Sequence, residues 1–261
     1  MARTCREGRI IPESYGKISS IALDPIEKKP LNNFFPGSNI LSVGSYGCNL
    51  RCPFCQNSDI SYSESVESVR QNAEYMSPDE LASLALSLQN KGNIGVAYTY
   101  NEPLVGYEYV RDTAKLVHSL GMKNVMVTNG CATSEIARGL IPYIDAMNID
   151  LKCFDEATYR DTLGGDLEMI CTFIETVAFS CHIEVTYLVV PGINDSEDEF
   201  LKAVGFLKSV CHKAGKDIPL HITRFFPRFK MKDASPTPIS TIYRFVDLAR
   251  GHLRYVYAGN C

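Results

Sequence analysis

The chain has no run of about eighteen apolar residues, so no segment predicts a membrane-crossing helix. It has little net charge. Its 26 lysines and arginines against 30 aspartates and glutamates leave −4, which gives no electrostatic ground for a nucleic acid or an anionic membrane as partner. The opening MARTCREGRIIPES lacks the apolar core of a secretory signal, and a cytoplasmic protein is expected. Internal repeats, low-complexity tracts and an obvious linker are also missing. What the chain has in plenty is cysteine. Ten thiols in a reducing compartment argue against a disulfide framework and for metal ligation.

Residues 1–38 contain Pro12, Pro25, Pro30 and Pro36 with little periodicity, and read as an N-terminal arm on a single core domain of residues 39–261. NILSVGSY (39–46) predicts a strand that runs straight into a group of cysteines. SPDELASLALSLQNKG (77–92) predicts a helix: Ser77 is its N-cap, Pro78 its first residue, Glu80 closes a capping box, and Leu81, Leu84, Ala85 and Leu88 share a face. A strand at 93–100, a helix at about 104–120 stopped by Gly121, and a strand and turn at 123–130 follow. The pattern continues with a helix at 133–140, a strand at 146–152, a helix within 155–180 and a strand at 182–192. A helix at 195–211 with Ser196 and Glu199 as a second capping box, a strand at 218–225 and a helix at 240–250 complete it. About six alternations of strand and helix predict an α/β fold with a parallel sheet. Without a Rossmann glycine fingerprint, a partial (β/α)6 barrel with a C-terminal extension is favoured.

Such folds carry their chemistry at the carboxyl ends of the strands. Cys48, Cys52 and Cys55 follow the first of these strands, Asn101-Glu102-Pro103 the second and Thr128-Asn129-Gly130 the third. Asp150-Leu151-Lys152 ends the fourth, a Pro-Gly turn the fifth, and His221 lies on the sixth. The cysteines are spaced C-x3-C-x2-C in GCNLRCPFCQN (47–57), with no fourth nearby. A structural zinc site takes four ligands, usually as two pairs, and the bacterial ferredoxin run is spaced differently. Three thiolates can hold three irons of a [4Fe–4S] cubane and leave the fourth open to a small molecule. A zinc site completed by a distant His or Cys, or three thiols used as core, remain open on spacing alone.

C-x3-C-x2-C with Phe54 before the last cysteine resembles the signature of the radical S-adenosylmethionine (SAM) enzymes. MNIDLKCFDEATYRDTLGG and VVPGIND resemble the pyruvate formate-lyase activating enzyme branch. DPIEKKPLNNFFPGSNILSVGSYGCNLRCPFCQN, YTYNEP and the ending YVYAGN resemble the AmmeMemoRadiSam group more closely, over roughly residues 5–260. The resemblance implies that Cys48, Cys52 and Cys55 ligate a [4Fe–4S] cluster whose open iron chelates SAM. Asn101 and Glu102 stand in the family's Gly-Gly-Glu-Pro segment, where Glu102 holds the methionyl amine and Tyr100 and Asn101 replace the glycine pair. Asp150 and Lys152 fall near the methionyl carboxylate, and His221 near the ribose and adenine. Thr128 and Asn129 match a turn in which Val127 replaces an aspartate. The implied reaction is reductive cleavage of SAM to methionine and a 5′-deoxyadenosyl radical, which takes hydrogen from a protein or small-molecule substrate. A flavodoxin- or ferredoxin-type one-electron donor is the implied partner. Activation of a glycyl-radical enzyme is the alternative within this class. An iron–sulfur electron carrier and a zinc-binding module are the alternatives outside it.

Each residue also has a structural role open to it. Glu102 can cap a helix, Asp150 and Lys152 can pair inside a barrel, Thr128-Asn129-Gly130 can be a plain turn, and His221 can be a core histidine. Cys131, Cys153, Cys171, Cys181 and Cys211 are expected to be structural, and Cys5 and Cys261 stand at the two ends. RFFPRFKMK (224–232) reads as a solvated basic loop, with contact to an anionic substrate or a macromolecule as the alternative.

Overall fold

The proline-bearing arm is more regular than its sequence predicts. In the computed structural model, which describes residues 2–261, it forms four strands. β1 (Arg3–Arg6) and β2 (Arg9–Pro12) make an antiparallel hairpin around Glu7 and Gly8, both left-handed. β3 (Lys17–Ile18) and β4 (Ser20–Pro25) follow. Pro12 and Pro25 are the last residues of their strands, where a missing N–H disturbs the ladder least.

The chain divides into two units. The first comprises the residues up to 49, 57–128 and 133–147; the second comprises 50–56, 129–132 and 148–261.

In the first unit β4 lies antiparallel to β5 (Asn39–Gly44). α1 (Ser58–Ser61), α2 (Ser63–Asn72) and β6 (Glu74–Tyr75) come next, and β6 pairs with β3. None of these three was expected, because their sequence is polar and weakly periodic. α3 (Pro78–Ser87) starts with the anticipated capping box: Ser77 Oγ accepts from Glu80 N, and Glu80 Oε2 accepts from Ser77 N at 2.7 Å. β7 (Asn93–Tyr98), α4 (Tyr107–Ser119), β8 (Lys123–Thr128) and α5 (Ser134–Leu140) complete the alternation. β5, β7 and β8 run parallel. β7 and β8 approach so closely at the Gly95–Lys123 pair that a Cβ on Gly95 would lie 1.7 Å from the Lys123 carbonyl oxygen. Ile26 and Leu31 of the arm pack into a fully buried group with Ile40, Ala97, Val125 and Ala146, so burial of apolar area ties the arm to the strands.

β9 (Ala146–Asp150) begins in the first unit and ends in the second. The second unit continues with a π-helical turn (Thr158–Leu163), α6 (Leu167–Ala178), β10 (His182–Val189), α7 (Glu197–Ala214), β11 (Leu220–Arg224), α8 (Ile239–Arg250) and β12 (Val256–Gly259). β10, β11 and β12 are parallel. β12, formed by the terminal VYAG, was not anticipated. Phe200 of α7 stacks on Phe245 of α8 at 4.5 Å and meets Tyr187 of β10 edge-on at 5.2 Å.

The second expected capping box does not form. Ser196 makes no side-chain cap bond. Glu199 instead turns inward and accepts from Phe154 N at 2.7 Å and Tyr187 Oη at 3.3 Å. Buried donors outcompete a local cap that water can replace.

The fold is therefore α/β, with a mostly parallel sheet of the partial-barrel kind. β4 and β12 are each paired on one side only, so no barrel closes among the described residues. No helix among them is long and apolar enough to cross a membrane.

Candidate active site

The turn after β7 presents Asn101 and Glu102 to the segment that precedes Cys48. Asn101 Oδ1 accepts from Ser45 N at 2.8 Å, and its Nδ2 donates to the Gly47 carbonyl at 3.2 Å. Glu102 N donates to the same carbonyl at 3.3 Å, and Gly47 N donates to Ile60 O at 2.7 Å. Gly47 has φ +90, and a Cβ there would lie 2.6 Å from that of Ala2. Only glycine suits this crossing. Cys48 is half-buried, with Sγ 4.0 Å from Asn49 Oδ1.

Glu102 is 5% exposed. Its Oε1 accepts from Thr128 Oγ1 at 2.6 Å and from Leu104 N at 3.0 Å. The carboxylate thus caps the short 3-10 turn Pro103–Gly106, as its structural reading anticipated. Thr128, at the end of β8, adds a hydroxyl donor.

In the second unit the loop Leu50–Gln56 is held at both ends. Arg51 N donates to Leu163 O at 2.7 Å, and its guanidinium reaches the carbonyls of Arg160 and Asp161 at 3.3 Å. Lys230 N donates to Pro53 O at 3.1 Å, and Arg228 Nη1 to Gln56 O at 3.3 Å. The basic segment 224–232 is therefore built onto the cysteine loop. Burial pushes the Cys52 thiol up to about 11, while Lys152 pulls it down and Cys55 and Asp150 push it up. Lys152 Nζ pairs with Asp150 Oδ2 at 3.0 Å. The Lys152 backbone is fixed on both sides, its N donating to Tyr159 Oη at 3.0 Å and its O accepting from Asn194 Nδ2 at 2.5 Å. Asn194, fully buried, also accepts from Val190 N and donates to Leu188 O. VVPGIND signalled a turn; the buried role of its asparagine has no periodic signature and was missed.

Asn129 Oδ1 accepts from Cys131 N at 2.8 Å, and Gly130 follows at φ +66, so this pair forms an Asx-type turn. His221 Nε2 lies 2.6 Å from Glu184 Oε2, and its ring stacks on Tyr257 at 5.2 Å. The other Glu184 oxygen meets His182 Nε2 at 2.9 Å. Glu184, wholly buried between two imidazoles, was not singled out from the sequence. Among the described residues no three His, Cys, Asp or Glu side chains are gathered as a metal-binding group. No disulfide joins any of the ten cysteines, so the C-x3-C-x2-C thiols are not tied up in cystine. Burial pushes the Cys153 and Cys171 thiols up to about 12. Cys131 Sγ lies 3.8 Å from Met169 Sδ.

A model of the Radical SAM superfamily matches residues 42–204. An uncharacterized protein of Methanocaldococcus jannaschii is 38% identical over 257 residues, 97% of this chain and 73% of that protein. The benzylsuccinate synthase activating enzyme of Thauera aromatica is 29% identical over 130 residues, and the match spans 47% of this chain but only 39% of that enzyme. A domain of pyruvate-formate lyase-activating enzyme from Bacteroides vulgatus shares the fold, with a TM-score of 0.54 at 18% identity over 64% of this chain and 99% of that one. The superfamily match begins inside β5, runs through the cysteine loop and the turns after β7, β8 and β9, and takes in more than half of the chain. The chain belongs to the Radical SAM superfamily and is an enzyme of radical chemistry.

Proposed function

We propose that Cys48, Cys52 and Cys55 hold a [4Fe–4S] cluster and that the chain binds SAM beside it for reductive cleavage. The observation that carries this reading is Glu102. It is a buried carboxylate whose own backbone is bonded to Gly47, the residue before the first cysteine. The donor set fits an iron–sulfur cluster: three thiols in one loop, none in a disulfide. When bound, the cluster supplies one electron that splits the sulfonium into methionine and a 5′-deoxyadenosyl radical. Glu102 orients the methionyl ammonium, with Thr128 Oγ1 fixing its carboxylate. Lys152, set by Asn194 and Tyr159, faces the methionyl carboxylate with Asp150 as its counter-ion. Asn101 holds the backbone on which Cys48 stands. Asn129 shapes the turn after β8, and His221, held by Glu184, flanks the nucleoside.

The partner is a flavodoxin- or ferredoxin-type donor of one electron. Exposed Arg51, Arg228, Lys230 and Lys232 support its approach, because Arg51 belongs to the cysteine loop and Arg228 and Lys230 are bonded to it. Relatives named as activating enzymes favour a second, narrower reading, in which the hydrogen comes from a backbone glycine of a protein substrate. Anaerobic reconstitution tests the proposal. About four irons per chain are expected, with methionine and 5′-deoxyadenosine formed on reduction with dithionite. Deuterium transfer from labelled candidates into 5′-deoxyadenosine then identifies the substrate. Stoichiometric zinc without iron, or an iron-loaded protein that leaves SAM intact, would overturn it.

A further inference from the structure

Tyr100 has φ +72, a left-handed conformation that glycine takes freely and tyrosine avoids. It immediately precedes Asn101 and Glu102, so its backbone aims both. Glycine stands where the ring needs room: a Cβ on Gly44 would lie 2.9 Å from Tyr100 Cβ and Cδ2. The Tyr100 hydroxyl donates to Asp24 Oδ2 at 2.8 Å, and the same oxygen accepts from Lys29 Nζ at 2.9 Å. The Lys29 ammonium also sits over the Tyr100 ring, 4.8 Å from its centre. Asp24 and Lys29 are only 9% and 3% exposed, so this is a buried ion pair with a phenol as its third member. On the backbone side, the Tyr100 carbonyl accepts from Asn57 Nδ2 at 2.7 Å.

A left-handed tyrosine persists only when its surroundings over-determine it. We propose that Asp24 and Lys29, acting through Tyr100, are positioning residues that hold the Asn101-Glu102 turn in a glycine-type conformation. The arm thereby does for this turn what a glycine would do by its own freedom. The bonds from Ser45 N and to Gly47 O, which fix the backbone entering Cys48, depend on that conformation. The effect on cosubstrate binding rests on the SAM reading above; the effect on the backbone does not.

Three variants separate positioning from simple stabilisation. Tyr100→Ala keeps the strain and loses the anchor. Tyr100→Gly loses the anchor and the strain together. Tyr100→Phe keeps the ring and loses only the bond to Asp24. In iron-loaded protein, SAM affinity read from the paramagnetic resonance of the reduced cluster should fall about tenfold in Tyr100→Ala. It should stay within about threefold of the parent in Tyr100→Gly, with Tyr100→Phe between them. In cluster-free protein, hydrogen exchange of the amides of Ser45, Gly47 and Glu102 should follow the same order, fastest in Tyr100→Ala. Equal exchange in the parent and Tyr100→Ala, or a Tyr100→Gly variant no better than Tyr100→Ala, overturns the proposal. A Tyr100→Phe variant indistinguishable from the parent in both measurements removes the Asp24 bond from it and leaves the Lys29 contact with the ring. A parent protein that binds no SAM overturns the functional reading alone, and exchange then decides this one.

Discussion

Replacing Glu102 by glutamine separates its two roles. The side chain caps Pro103–Gly106 through Leu104 N, receives the Thr128 hydroxyl, and is proposed to hold the SAM ammonium. Glutamine keeps an acceptor oxygen for both neutral donors and removes the charge. Hydrogen bonds to an ionised acceptor are about twice as strong as neutral ones, so the cap and the Thr128 bond together lose about 1 kcal/mol. In a chain of this length that lowers Tm by about 2–4 °C. A charge-assisted contact to the cosubstrate contributes about 1.5–3 kcal/mol, so SAM affinity should fall by roughly 10–150-fold. Thr128→Val is the control. It removes a donor from the buried carboxylate and costs about 1–3 kcal/mol of stability, but leaves the charge, so affinity should fall less than about tenfold. Iron content, thermal melts and a SAM titration of the reduced cluster's resonance spectrum read all three quantities. Unchanged affinity in an iron-loaded Glu102→Gln variant, or a larger affinity loss in Thr128→Val, would refute the reasoning.

Replacing Cys131, Cys153, Cys171, Cys181 and Cys211 together by alanine or serine should lower stability by about 1 kcal/mol per buried site and leave the iron count unchanged; a halved count would mean a second cluster. Gly95→Ala should destabilise by about 3 kcal/mol or more, because its Cβ would lie 1.7 Å from the Lys123 carbonyl oxygen within the β7–β8 ladder. A melt lowered by less than about 6 °C would count against that register. Stability should also depend on pH at both extremes. Burial raises the Asp24 carboxyl, but hydrogen bonds from Lys29 and Tyr100 prevail and hold it well below the usual carboxylate range. Its contribution is therefore present above the unfolded value of 3.8 and lost as pH falls below it. Burial and the bond to Asp24 push Tyr100 up to about 12, so stability falls as pH rises from 10.0 towards that value. Denaturant midpoints across pH should show a smaller acid limb in an Asp24→Asn, Lys29→Met double variant and a smaller alkaline limb in Tyr100→Phe.

The two capping boxes mark how far sequence carries. Ser77-x-x-Glu80 and Ser196-x-x-Glu199 have the same spacing, and only the first forms. Glu199 lies where Phe154 N and Tyr187 Oη come within reach, and those donors arrive from distant parts of the chain. The parallel strands were legible because β-branched and apolar runs alternate with helical stripes. The arm's strands were not: β4 is an edge strand whose pairing with β5 leaves no periodic mark in a proline-bearing segment. His221 could be noticed as a histidine on a strand, but its partner Glu184, 37 residues away, could not be assigned to it.

The sequence by itself determined the alternation of strand and helix, the three-thiol spacing and the acidic, amide and basic groups near successive strand ends, because these depend on neighbours within a few residues. Tertiary structure alone decided that Tyr100 adopts a glycine's backbone, that Asp24 and Lys29 anchor it, that Thr128 meets Glu102 and that Asn194 fixes Lys152. Each of these pairings joins a buried polar group to a partner many residues away. Once water is excluded, such a group must find its hydrogen bond wherever the packed chain brings a complementary atom.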